Sequence, residues 1–229
     1  MPDLPPILLS ALTGFAFGLL LSIPIGPVNL TIINESARRG FTQGMVVGLG
    51  ASVMELIYCT IAFTGFSSFF EDRMVKASME VFSFAFLLFL GMKFLTAKTV
   101  AAPTQLGAAA VRIEARVGEK LHPHSAFMTG FTRVLGNLGV LLFWIVLAAN
   151  FMSHDWVADT FVAKAVCVGG VALGTNLWFC TLSYGVSRGQ GRFSENTLVR
   201  MQHISGICLI AVGLFDGGHI VWQLARHRI

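Results

Sequence analysis

Apolar residues fall into six long runs, at about residues 7–33, 44–66, 77–95, 126–151, 160–186 and 203–222, with charged residues gathered between them. A spanning helix needs roughly 20 predominantly apolar residues, so each run predicts one transmembrane helix. The expectation is an all-α integral membrane protein, a single membrane domain over residues 1–229. Its only long polar connection is residues 99–125, between the third and fourth runs.

Composition agrees. Of 229 residues, 55% are hydrophobic and 12% charged, and the mean hydropathy is +0.72; a soluble domain carries about 25% charged residues. The net charge of +4 does not indicate a nucleic-acid partner, because the basic residues stand at the ends of apolar segments. They read as topology signals. Arg38 and Arg39, then Lys98, Arg112, Arg116 and Lys120, then Arg188, Arg192 and Arg200 lie in the odd-numbered connections, whereas the even-numbered ones hold only Arg73 and Lys76. The positive-inside bias puts the odd connections, residues 99–125 included, in the cytoplasm and both termini on the outer side of the membrane. Arg226 and Arg228 pull weakly the other way. The first run follows MPDLPP, which lacks a basic n-region, and is longer than a signal-peptide core, so a permanent helix is expected.

The second and fifth runs repeat each other. VGLGASVMELIYCT (47–60) aligns without a gap on VGGVALGTNLWFCT (168–181), matching at Val, Gly, Ala, Leu, Cys and Thr, and Gly91 falls near Gly213 at almost the same offset. Two three-helix repeats follow, residues 1–98 and 126–229. Three being odd, the second is inverted relative to the first, as in many secondary transporters.

The polar residues inside the runs carry the candidate chemistry. In the first run, Ser22-Ile-Pro24-Ile-Gly26-Pro27-Val-Asn29 removes two backbone donors three residues apart. A helix broken there frees carbonyls at membrane depth, which persist only in protein or beside a wet cavity; a kinked packing helix is the plainer alternative. Glu55 lies mid-run in the second helix, with Gly48, Ala51, Ser52, Cys59 and Ala62 on its face. A carboxylate facing lipid costs several kcal/mol, so this face is predicted to point inward, with Glu55 as a proton carrier or as a hydrogen-bonded structural acid. Asn176 is the repeat counterpart of Glu55, and Asn137 is a further mid-membrane amide; singly, each also suits interhelical hydrogen bonding. Arg133, one turn before Asn137, suits pairing with Glu35 or Glu55, meeting a substrate carboxylate, or snorkelling. Asp216 reads as interfacial. Cys59, Cys167, Cys180 and Cys208 form no CxxC and read as packing thiols. His122 and His124 lack a neighbouring ligand set, so no metal and no resident cofactor are expected. AAAVRIEARVGEKL (108–121) suits a basic surface helix or a plain linker.

These residues resemble a known family. GFAFGLLLSIPIGPVNL (14–30), ARRGFTQGMVVGLGASVMELIY (37–58) and GFTRVLGN (130–137) are similar to the lysine-exporter (LysE/RhtB) family of bacterial amino-acid efflux proteins. The shared pattern is P-x-G-P, then R-R-G-F, then a glycine-spaced second helix with an acidic residue, here Glu55 where Asp is usual. The family's fourth helix usually carries Asn-Pro; here Leu138 follows Asn137, so the resemblance carries no second helix break over. It implies export of an amino acid or related small metabolite from the bacterial inner membrane, driven by the proton gradient. The glycines of the second helix suit internal packing or a homodimer contact. A thiol-disulfide carrier of the DsbD/CcdA type also has six helices in symmetric halves, and Cys59 and Cys180 are repeat-equivalent, but that class places its cysteines in the first helix of each half. Divalent cation export lacks an intramembrane Cys, His and carboxylate cluster, and an enzyme lacks a nucleophile and base at recognisable spacing.

Overall fold

The computed structural model describes residues 5–24, 26–65, 73–96, 125–189 and 195–226. Almost all of residues 99–125, with His122, His124 and the basic 108–121 stretch, lies outside them, as do both chain ends and the side chain of Asp216. The described residues form eight helices: α1 (Pro6–Ser22), α2 (Pro27–Arg39), α3 (Phe41–Gly65), α4 (Arg73–Leu95), α5 (Ala126–Leu135), α6 (Leu138–Ser153), α7 (Phe161–Ser187) and α8 (Glu195–Arg226). Residues 5–96 and 125–226 are built alike, each a bent helix pair, then a long helix, then a further helix.

The first apolar run is broken. α1 and α2 meet at 72°, with Gly26 extended between them and Pro27 opening α2, where its missing N–H costs nothing. The fourth run is broken as well, with α5 and the following helix meeting at 67°. The absence of proline after Asn137 therefore does not keep that helix continuous. The α5 ladder closes through Gly136 N–H to the Thr132 carbonyl at 3.0 Å and tightens through Asn137 N–H to Val134 at 2.9 Å. The Leu135 carbonyl accepts from the Tyr58 hydroxyl of α3 at 2.8 Å. A tertiary donor thus does at this break what a proline would favour locally. Elsewhere the chain stops by ordinary means: Gly40, at φ 87°, turns α2 into α3 in a conformation that glycine adopts without steric cost, and Ser125 and Thr160 cap α5 and α7.

Of the six predicted spans, α3 and α7 are long and apolar enough to cross a bilayer alone, and counting each bent pair as one span gives four. In α4 and α8 the apolar stretches among the described residues are Phe84–Leu95 and Val199–Phe215.

α1 packs on α7, α5 on α3 and α4 on α8, while α3 and α7 lie against each other at the centre. Each broken helix thus leans on the long helix of the other half. Glycine permits this closeness. A Cβ at Gly14 or Gly18 would strike the backbone of Cys167 or Val171, one at Gly170 or Gly174 the backbone of α1, and one at Gly50 or Gly130 the facing backbone across α3 and α5. Gly44 and Gly48 are likewise occupied, by Ser36 and Phe179, so these glycines serve packing within the chain. The predicted inward face of α3 is buried at Gly48, Ala51, Ser52, Cys59 and Ala62. Leu49, Val53, Ile57 and Ile61 line its outer face at four-residue steps, each about 40% exposed, as suits contact with lipid.

Gly130→Ala is expected to lower stability in detergent by about 1–3 kcal/mol, the usual cost of overpacking. Gly169→Ala, whose Cβ meets nothing within 4 Å, should be neutral or slightly stabilising. Thermal unfolding of the two purified variants checks this; equal melting temperatures would remove the close α3–α5 approach as a determinant of the fold.

Candidate functional site

At the first break, the two prolines and the bend leave the carbonyls of Ser22 and Pro24 without helical partners. The Asn29 amide donates to both, at 2.8 and 2.7 Å, and its Oδ1 accepts from Trp178 Nε1 of α7 at 3.2 Å. Asn29 is 3% exposed. Its side chain therefore holds the broken helix open and ties it to α7.

A cavity of about 130 Å³ borders this break. Its lining includes Ser22, Pro24 and Gly26 from the break, Glu55 from α3, Leu90 and Lys93 from α4, and Gly139 and Val140 from the start of α6, just past the second break. Phe86, Phe89, Phe94, Phe143 and Trp144 supply aromatic walls, with the rings of Phe86 and Phe143 5.9 Å apart. The first break and the start of α6 just past the second thus border one predominantly apolar chamber. Glu55 and Lys93 are its charged lining residues among those described.

Glu55 is half-buried. Its Oε2 accepts from the Thr175 hydroxyl of α7 at 3.4 Å, and Thr175 also lies 3.3 Å from the Gly18 carbonyl of α1. Asn176 donates to Ser52 Oγ at 2.8 Å, back across the α3–α7 interface, and to the Ala172 carbonyl at 2.8 Å. Glu55 and Asn176 hence both bridge the central helices, but of the two only Glu55 lines the cavity.

Of the residues singled out in the sequence, the structure brings Pro24, Gly26 and Glu55 together around the chamber, and Pro27, Asn29, Arg133, Asn137 and Asn176 lie outside its lining. Pro27 starts α2 and Asn29 braces the break. Asn137 is buried at the N-cap of α6, and Arg133 is exposed in the last turn of α5. Glu35 faces Arg39 of its own helix at 3.6 Å. Cys59 and Cys167 are fully buried and do not line the cavity, and all four cysteines are free thiols.

Sequence reasoning missed Lys93, Thr175 and the aromatic walls. Lys93 had a readable signal: a charge inside an apolar run, three, four and seven residues from Leu90, Phe89 and Phe86, hence on their face of α4.

The chain is 25% identical over 213 residues, 93% of its own length and 97% of the relative's, to a protein of Bacillus subtilis (strain 168) named "Putative amino acid efflux protein YcgF". No solved structure matches it. The family model described as LysE type translocator matches residues 19–215, most of the chain and all of the cavity lining but Gly18, and the protein therefore belongs to the LysE family of membrane translocators.

Proposed function

We propose that this protein is a secondary transporter that exports amino acids or related small metabolites across the bacterial inner membrane in exchange for protons. The observation that carries the reading is one chamber bounded by two broken helices and holding the carboxylate of Glu55. Glu55 binds either a proton or the ammonium group of the substrate, never both. Exchange then follows from competition: substrate loads from the cytoplasm as the proton leaves, and an incoming proton displaces substrate on the outside. The proton gradient is the energy source, and the chain's own side chains suffice without a cofactor.

Six spans in two inverted three-helix repeats fit this role. Support comes from the reciprocal packing of α1 on α7 and α5 on α3, and from the 23 residues of α4 and 32 of α8, roughly 34 and 48 Å long at 1.5 Å per residue against a hydrocarbon core of about 30 Å. Periplasmic termini follow from the distribution of basic residues.

Cells expressing the protein and preloaded with radiolabelled amino acids should release them faster than control cells, and a protonophore should reduce that release to the control rate. Release that persists at full rate in the protonophore would show that protons do not drive it.

A further inference from the structure

Lys93 has no place in the exchange scheme above, yet it lines the same cavity as Glu55. It is half-buried and on the aromatic face of α4, and it makes no ion pair among the described residues. A basic residue two positions from the end of α4 (Leu95) would ordinarily snorkel to the headgroups; its place in the cavity wall sets Lys93 beside the substrate space instead.

The chamber therefore offers one anion and one cation over a predominantly aromatic wall. Resting on the amino-acid export reading, we infer that Lys93 is the substrate-carboxylate receptor, that Glu55 takes the α-ammonium, and that the transported molecule is a zwitterionic α-amino acid with a neutral, apolar side chain. Charge complementarity supports this. Glu55 and Lys93 balance the two backbone charges, and a basic side chain would require a third, acidic partner that the described lining lacks. Size agrees: about 130 Å³ is of the order of the ~150 Å³ apolar cavity that admits benzene, a scale that suits a small molecule with a compact apolar side chain. The two charges also disfavour plain hydrocarbons, which would cover both groups without balancing either.

The test measures binding of leucine and of leucinamide, which keeps the ammonium but lacks the carboxylate, to the purified full-length protein and to Lys93→Met, which keeps the unbranched stem to within one atom and removes the charge. The wild type is expected to prefer leucine over leucinamide by about 10- to 100-fold, the worth of a charged hydrogen bond, and over lysine as well; Lys93→Met should bind leucine and leucinamide equally, and Lys93→Arg should restore much of the preference. A Lys93→Met protein that keeps the wild-type ratio would overturn the assignment and return Lys93 to the headgroup region while leaving amino-acid export intact. Should Lys93→Met not fold, Lys93→Arg with an unchanged leucine affinity and a tenfold loss in Lys93→Gln would carry the proposal, and unchanged affinity in both would overturn it. A wild-type protein that binds neither leucine nor phenylalanine while exporting lysine overturns the side-chain assignment alone, and one that moves no amino acid overturns the export reading with it.

Discussion

Glu55→Gln is expected to reduce proton-driven efflux to background while leaving the folded protein intact. Gln accepts the Thr175 hydroxyl as Glu does, at the position where Oε2 now lies 3.4 Å away, and matches its volume, so packing against Ser52, Cys59 and their neighbours is preserved. What it lacks is the charge that alternates between a proton and the substrate ammonium. The loss of a charged hydrogen bond alone is worth about 1.5–3 kcal/mol, roughly 10- to 100-fold in substrate affinity, and loss of the titrating group removes coupling altogether. Glu55→Asp keeps the acid but withdraws it by one methylene, so partial transport is expected. Efflux from preloaded cells, read beside the amount of folded protein in the membrane, decides the matter. Full transport by Glu55→Gln would assign the residue to helix packing across α3 and α7.

How much of this was legible in the sequence depends on whether the cause was local. The break at Pro24 and Pro27 is written in residues that cannot complete a helical ladder, and the inward face of α3 follows from small residues at helical spacing around Glu55. The second break is not local. Nothing in Gly136-Asn137-Leu138 forbids a helix, and the break there leans on the Tyr58 hydroxyl, 77 residues away in the chain. Asn29, Asn137 and Asn176 look alike in a sequence as amides at membrane depth. Only their surroundings separate them, since the hydrogen bonds of Asn29 run to the backbone of its own break and those of Asn176 to Ser52 and Ala172, leaving Glu55 to meet the chamber. Lys93 escaped notice because a lysine near a helix end serves topology as readily as chemistry, and the distinction lies in what α4 packs against. The glycine-spaced second helix was equally ambiguous between a dimer contact and internal packing until Gly50 and Gly130 were seen face to face with the opposing backbones.

The brace at the first break sets the second large effect. Asn29→Ala removes two donors and one acceptor at once, stranding the carbonyls of Ser22 and Pro24 and the indole N–H of Trp178. In a soluble protein, water would take up part of that loss. Asn29 is 3% exposed and its amide fills the inside of the bend, so little water replaces it there and each stranded group costs about 1–3 kcal/mol. A total of about 3 kcal/mol or more is expected, above the cost of overpacking at Gly130. The break has then only unfavourable options: α1 and α2 straighten toward a helix that Pro24 and Pro27 forbid, or the loop collapses into the chamber whose wall includes Ser22, Pro24 and Gly26. Either change deforms the substrate space, so efflux should fail even at temperatures where Asn29→Ala remains folded, whereas Gly130→Ala should transport normally below its melting temperature. Thermal unfolding in detergent and efflux at two temperatures separate the cases. An Asn29→Ala protein with wild-type melting and wild-type transport would mean that the prolines alone hold the helix open, and that its three hydrogen bonds are incidental to the site.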